Sequence, residues 1–297
     1  MGTMEKKVDK EMWKEVEVKK QVKKQMRKDI QVKVKMTMKK KMEEVLMHLF
    51  SIYWTLGEHQ MTKQIMPSKA FHMNVLGCKD LKFISVKISA PGNSVNTDGI
   101  HIGESTGISI AHSIIGTGDD CISIGPGNND INIFDVQCGP GHGISIGSLG
   151  KYTNEEPVKG VVVQHCTLIG TDNGVRIKTW PDSPKQGIAT NLTFDDIIMK
   201  NVQNPIIIDQ QYCPFGSCNQ KVQKSSLIQI SKVKFNNIKG TSASPRAISL
   251  VCSKTLPCQD VELSEINLKY NGGDASSTTT NVKPHVSGHI FPSLPSA

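Results

Sequence analysis

From residue 81 to residue 268 the chain repeats one short pattern, in which apolar and polar positions alternate for six to eight residues, stop at Gly, Asn, Asp or Pro, and then resume. One set of runs reads "LKFISVKI" from Leu81, "ISIAHSII" from Ile108, "INIFDVQC" from Ile131, "VVVQHCTL" from Val161, "LTFDDIIM" from Leu192, "IQISKVKF" from Ile228 and "VELSEINL" from Val261. Their starts lie 27, 23, 30, 31, 36 and 33 residues apart. Between them runs a second set: "DGIHIG" from Asp98, "DCISIG" from Asp120, "HGISIG" from His142, "NGVRIK" from Asn173, "NPIIID" from Asn204 and "RAISLV" from Arg246, the first three spaced by 22 residues. A period of two, with Ile and Val dominating, predicts short strands joined by tight turns. A βαβ fold needs a helix-length crossover in each connection, and no helix-length amphipathic stretch separates these runs. The economical alternative is a solenoid whose turns stack as parallel strands. The pattern therefore predicts an all-β, single-stranded, right-handed parallel β-helix of about seven to eight coils.

The register of such a stack decides which side chains meet. Equivalent residues of successive coils lie about 4.8 Å apart, so Asp98, Asp120, His142 and Asn173 are expected to form a ladder, with Asp119 beside it. Ile102, Ile124, Ile146 and Ile177 form the inward apolar ladder. Gly103, Gly125 and Gly147 leave the surface open until Lys178 fills the equivalent place, and Arg176 takes the position held by His101, Ser123 and Ser145. Three carboxylates from two coils and two cations from a nearby coil then face one groove.

Charge changes this picture only at one end. The chain has 297 residues and a formal net charge of +8. Residues 1–50 hold 15 Lys and Arg against 8 Asp and Glu, leaving 20 against 19 for the rest. The basic character belongs to a low-complexity segment, residues 1–57, expected to stand outside the β-helix of residues 58–297. That segment lacks the interleaved aromatics of a nucleic-acid binder and the amphipathic face of a membrane-surface helix. It also lacks the apolar core of a signal peptide. No stretch is long and apolar enough to span a bilayer, so neither nucleic acid nor membrane is an expected partner. All eight cysteines lie in the body. Cys121 with Cys138, Cys213 with Cys218, and Cys252 with Cys258 have spacings that suit small disulfide loops in an oxidising compartment. A zinc site is disfavoured, since no C-x-x-C or clustered His accompanies them. Asn191-Leu192-Thr193 is a glycosylation triplet, a weak signal for secretion.

Three close carboxylates cannot all ionise at little cost, so one is expected to keep a proton at mildly acidic pH. Glycoside hydrolysis needs that division: one carboxylic acid protonates the leaving oxygen while carboxylate activates water or attacks the sugar. Arg176 and Lys178 on a rigid strand suit the carboxylate of an acidic sugar. A single Asp in a Gly-rich turn normally caps that turn; three in register with His142, Arg176 and Lys178 point to a site. A calcium site would leave the two cations unexplained and place them against the metal.

Four segments carry a resemblance. "NTDGIHIG" from Asn96, "GTGDDCISIGPG" from Gly116, "CGPGHGISIGSLG" from Cys138 and "GVRIKTW" from Gly174 resemble the four signature segments of the polygalacturonases, glycoside hydrolase family 28, most nearly their plant pollen-type exo-acting branch. The resemblance runs from residue 70 to about residue 270. It implies a right-handed parallel β-helix that hydrolyses α-1,4 bonds of de-esterified homogalacturonan with inversion, as a secreted cell-wall monomer without metal or organic cofactor. On the matching positions Asp119 is implied as general acid, Asp98 and Asp120 as the pair that holds and activates water, and His142 as the residue tuning the acid. Arg176 and Lys178 are implied to bind galacturonate carboxylate, and Asn96 and Tyr212 to line subsites. The family's signal peptide and early coils are not recognisable before about residue 58, and the tail lacks its final cysteines. A second expectation is therefore a catalytically inactive homologue that binds pectin only. Cys78 and Cys166, without local partners, are expected to be buried free thiols.

Overall fold

The computed structural model describes residues 71–214, 218 and 224–295. The basic segment 1–57 and the start of the expected β-helix domain lie outside the described residues. Each of the alternating runs forms a strand or, in "LKFISVKI" and "VVVQHCTL", two short strands, and the two sets separate into two parallel sheets. The second set forms an eight-stranded sheet: Met73–Leu76, Ile100–Gly103, Ile122–Ile124, Ile144–Leu149, Asn173–Thr179, Asn204–Asp209, Arg246–Val251 and Ser276–Thr280. The first set builds a ten-stranded sheet from Lys82–Ile84 to His285–Phe291, every strand of which pairs with the coil before or after it. The described body is a right-handed parallel β-helix with eight rungs in the sheet that carries the candidate chemistry, and it contains no α-helix.

Register is set by the apolar ladders. Ile100, Ile122, Ile144, Val175, Ile206 and Ile248 stand in one row, and Ile102, Ile124, Ile146, Ile177, Ile208 and Leu250 in the next. All twelve are at most 1% exposed. A slip of one residue would turn each strand's apolar set outward, so burial and the backbone ladder specify the same pairing. Under the ten-stranded sheet Phe194 and Phe235, paired in register, stack with centroids 5.1 Å apart. On the Ile122–Ile124 strand the alternation vanishes, because the outward Ser123 is buried as well; something on the outer face covers it.

All three expected disulfides are present. Cys121–Cys138 ties the turn before one sheet to the end of a strand in the other, with Cα atoms 5.9 Å apart. Of the two free thiols only Cys166 is buried; Cys78 is half-exposed, a departure from the expected burial of both. Lys178 stands opposite Gly147 as expected, but with one residue more: Ile177 pairs with Ile146 and Thr179 with Leu149, so Gly147 and Ser148 together face Lys178. This bulge lengthens the Ser148 side of the groove.

If the inner ladder holds the stack, Ile146→Ala should lower unfolding free energy by about 3 kcal/mol, the order for a buried Ile truncation. Ile114→Ala on the exposed face should change it by less than about 1 kcal/mol. Urea denaturation of both variants checks this; equal effects would contradict it.

Candidate active site

The site begins in a turn with no room to relax. A Cβ on Gly118 would lie 2.0 Å from the Ser94 carbonyl oxygen, so only glycine lets the two loops touch. The Gly118 N–H donates to Thr97 Oγ1 (3.0 Å), Thr97 Oγ1 donates to the Ser94 carbonyl (2.7 Å), and Thr117 Oγ1 donates to the Asp119 carbonyl (3.0 Å). The chain therefore enters Asp119 and Asp120 on a fixed path. The Asp120 N–H donates back to Asp119 Oδ1 at 2.8 Å, which turns the neighbouring carboxylates apart.

Asp120 is the buried charge that the rest of the site answers. It is 1% exposed, and an isolated carboxylate there would be very costly. Lys178 Nζ donates to its Oδ2 at 2.8 Å, while Ser145 Oγ at 2.7 Å and Arg176 Nη2 at 3.2 Å donate to Oδ1. Arg176 Nε donates to Ser145 Oγ as well. The partners come from the two rungs above: Ser145 stands in register with Ser123, and Arg176 with Ser145. Tyr212 lies against both cations, its ring centre 5.3 Å from Lys178 Nζ and 5.8 Å from the Arg176 guanidinium. Trp180 meets Tyr212 edge-on and donates from Nε1 to Ser148.

Asp98, one rung below Asp120, has no cation on it. Its Oδ2 accepts from Ser123 Oγ at 2.6 Å. Burial, and then the charge of Asp120, push its pKa up to about 6. Asp119 goes the other way. Burial alone would raise it, but the hydrogen bond and charge of His142 and the Asp120 amide carry it below the ordinary carboxylate value. His142 Nδ1 lies 2.9 Å from Asp119 Oδ1, and that bond raises the imidazole above its ordinary value against the pull of burial. The three aspartates thus have three different environments.

A cavity of about 250 Å³ opens over this group, lined by Asp98, Asp119, Asp120, Lys178, Tyr212 and His101 among others. Arg176 and His142 are not among its lining residues; they bond Asp120 and Asp119, which are. Asn96 does not line it: it is an exposed loop residue at φ +55°. The two cations expected to bind a substrate carboxylate both bond Asp120. His101, Ser123, Ser145 and Ser148 belong to the site without having been singled out as functional; for the first three the shared register with Arg176 was the available signal. Asp119, Asp120 and His142 each offer a ligand atom within 4.8 Å of the others. A divalent ion there would compete with Lys178 for Asp120 and with His142 for Asp119.

The sequence profile of Glycosyl hydrolases family 28 matches residues 11–289. The chain belongs to this family. It is 54% identical over 241 residues to an exopolygalacturonase of Platanus acerifolia, covering 80% of this chain and 63% of that protein. With a polygalacturonase of Medicago sativa it shares 52% over 221 residues, 74% of this chain and 52% of the relative. The chain therefore spans between half and two thirds of these plant relatives' length. Among solved structures, a polygalacturonase from Erwinia carotovora ssp. carotovora superposes with a TM-score of 0.59 at 28% identity, covering 74% of this chain and 55% of the other.

Asp98 makes a pH-dependent prediction. Its folded-state pKa is raised from 3.8 to about 6, so the folded chain holds this proton more tightly than the unfolded chain. Stability is lost as pH rises through that window, and the loss is complete above about pH 6. Asp98→Asn removes the ionisation and should gain about 2 kcal/mol over the parent at pH 7, with little difference at pH 4. Denaturant midpoints at the two pH values check it; the same difference at both would contradict a strained carboxylate.

Proposed function

We propose that this chain hydrolyses α-1,4 bonds between galacturonate units of de-esterified homogalacturonan, with inversion and from a chain end, as an extracellular cell-wall enzyme without a cofactor. The observation that carries this reading is one cavity holding three carboxylates in three electrostatic environments beside two cations. The names of the plant relatives support the substrate, and three disulfides fit an oxidising compartment.

The roles follow from which lone pairs are free. Asp119 Oδ1 already accepts from His142 and from the Asp120 amide, so Oδ2 is the atom to carry a proton to the leaving oxygen. Asp120 accepts three bonds and keeps a lone pair on Oδ2 for water. Asp98, near pH 6, has the proton affinity suited to a base at mildly acidic pH. In the free site the proton sits on Asp98 and the charge on Asp119, whereas the reaction needs the reverse. A galacturonate carboxylate placed against Lys178 and Arg176 adds negative charge beside Asp119 and weakens the pull of those cations, which strengthens its hold on a proton. His142 opposes that change and so sets its extent.

Reducing-end release from polygalacturonic acid near pH 5, with products sized, tests the proposal. The wild-type chain should release galacturonate monomer. Asp119→Asn should lose a factor of about 10²–10⁴ in rate while still binding oligogalacturonate. Full activity in that variant would refute the acid assignment. Binding by the wild type without hydrolysis would favour a pectin-binding role, and a ladder of oligomers would replace exo action by endo.

A further inference from the structure

His101 occupies the cavity wall on the Asp98 rung, and the reaction as proposed gives it no task. It stands in register between Asn74 and Ser123. Its ring stacks on Phe71, with centroids 4.3 Å apart and planes 13° apart, and its Nδ1 lies 2.7 Å from Ser123 Oγ. Ser123 Oγ in turn lies 2.6 Å from Asp98 Oδ2. These three atoms form a chain from the cavity wall to the carboxylate.

Hydrogen accounting fixes the direction of that chain. A serine hydroxyl has one proton and an ionised carboxylate has none. While Asp98 is ionised, the Ser123 proton must point at Oδ2, so the bond between Ser123 and His101 must use a proton on Nδ1. A neutral imidazole with its proton on Nδ1 has a bare Nε2. On its cavity side there is little space to spare: a Cβ on Gly125, which also lines the cavity, would come within 3.3 Å of His101 Cε1 and 3.5 Å of Nε2. The opposite tautomer reverses every bond. Ser123 would then donate to Nδ1, and Oδ2 could keep its bond to Ser123 only by carrying a proton and donating it. The two arrangements differ by one proton: a solvent proton taken up at Nε2 is matched by one appearing on Asp98 Oδ2, with the intervening hydrogens each shifting along one bond.

Resting on the functional reading above, we propose that His101 is a positioning residue: held as the neutral Nδ1–H tautomer, it locks Ser123 toward Asp98 and favours the Asp98 carboxylate over its protonated form. Burial holds the imidazole neutral, with its pKa lowered to about 4. The charged and titratable groups facing the pair are Asp120, Asp119 and Lys178 around Asp98, and Asp120 and Lys178 around His101. His72 also adjoins Asp98, bonding its backbone carbonyl through Nδ1. Of these neighbours, Ser123 and Lys178 favour the ionised form of Asp98. Ser123 does so only while its proton faces the carboxylate.

The first test reads the tautomer and does not depend on activity. Nitrogen-15 NMR of the full chain at pH 7, where Asp98 is ionised, should show His101 Nδ1 protonated and Nε2 unprotonated. An Nε2–H tautomer there would overturn the proposal. The second reads kcat/KM for digalacturonate against pH. Ser123→Ala removes the bond that favours the Asp98 carboxylate and should move the acidic limb upward by about one pH unit; His101→Leu removes only the N–H that holds the Ser123 proton on Asp98 and should move it the same way by a smaller amount. His101→Asn, whose amide N–H can take the place of Nδ1–H, should leave that limb near its wild-type position even where KM rises. A fall in rate with an unmoved limb in all three variants would reduce His101 to packing and overturn the inference. If the wild type cleaves nothing, the functional reading fails, and the tautomer still decides whether His101 and Asp98 are coupled.

Discussion

The site depends on rung register. Asp98 and Asp120 lie 22 residues apart in sequence, yet they meet because Ile100 pairs with Ile122 and Ile102 with Ile124. The same stacking delivers Ser145 from the next rung, and Arg176 and Lys178 from the one after. None of these side chains could find the others without the apolar ladders beneath them. The interior rows therefore act as the alignment device for the chemistry, which is why the outer face above them can be so polar. Ser123 and Ser145, 3% and 0% exposed, look like core residues by burial, yet Ser123 lines the cavity and Ser145 bonds Asp120 beneath it.

Within that frame the electrostatics are divided unequally. Lys178 and Arg176 are both committed to Asp120, which makes a fully buried carboxylate tolerable. Asp98, a rung away, receives only a serine hydroxyl and is left with a raised proton affinity. Asp119, half-buried, is governed by His142. Three identical side chains thus acquire one anchored charge, one acceptor near pH 6 and one carboxylate whose proton is under histidine control. Glycosidic bond cleavage by an acid and a base calls for such separation. On the proposed roles, the ligand-free state runs opposite to the working direction, which is why the proposal gives the substrate's charge a part in the mechanism.

Most of the fold was legible because burial in a solenoid writes itself into the chain at a fixed period. Every quoted alternating run, including "DCISIG" and "NGVRIK", is built into strand, and each set falls on one sheet. The last two strands, Ser276–Thr280 and His285–Phe291, were not legible, since "SSTTT" holds no apolar residue and "HVSGHIF" faces solvent along most of its length. In the site the aspartates and cations were legible from register alone. The commitment of both cations to Asp120 was not, because it depends on side-chain reach across two rungs. The bulge opposite Lys178 was hidden as well: "GISIGSLG" gives no sign that Gly147 and Ser148 share one partner. Serines at 123 and 145 carried too little chemical signature to stand out until the structure showed what they donate to.

The central claim is that Asp98 and Asp120 hold the attacking water while Asp119 protonates the leaving oxygen. Proton NMR of the first turnover products from an α-1,4-linked galacturonate oligomer tests it most directly. The account predicts that the newly released reducing end appears first as the β anomer and reaches the α/β mixture only by later mutarotation. An α anomer at the earliest time point would mean that a carboxylate, and not water, attacks the sugar, and would contradict the assignment of these three residues.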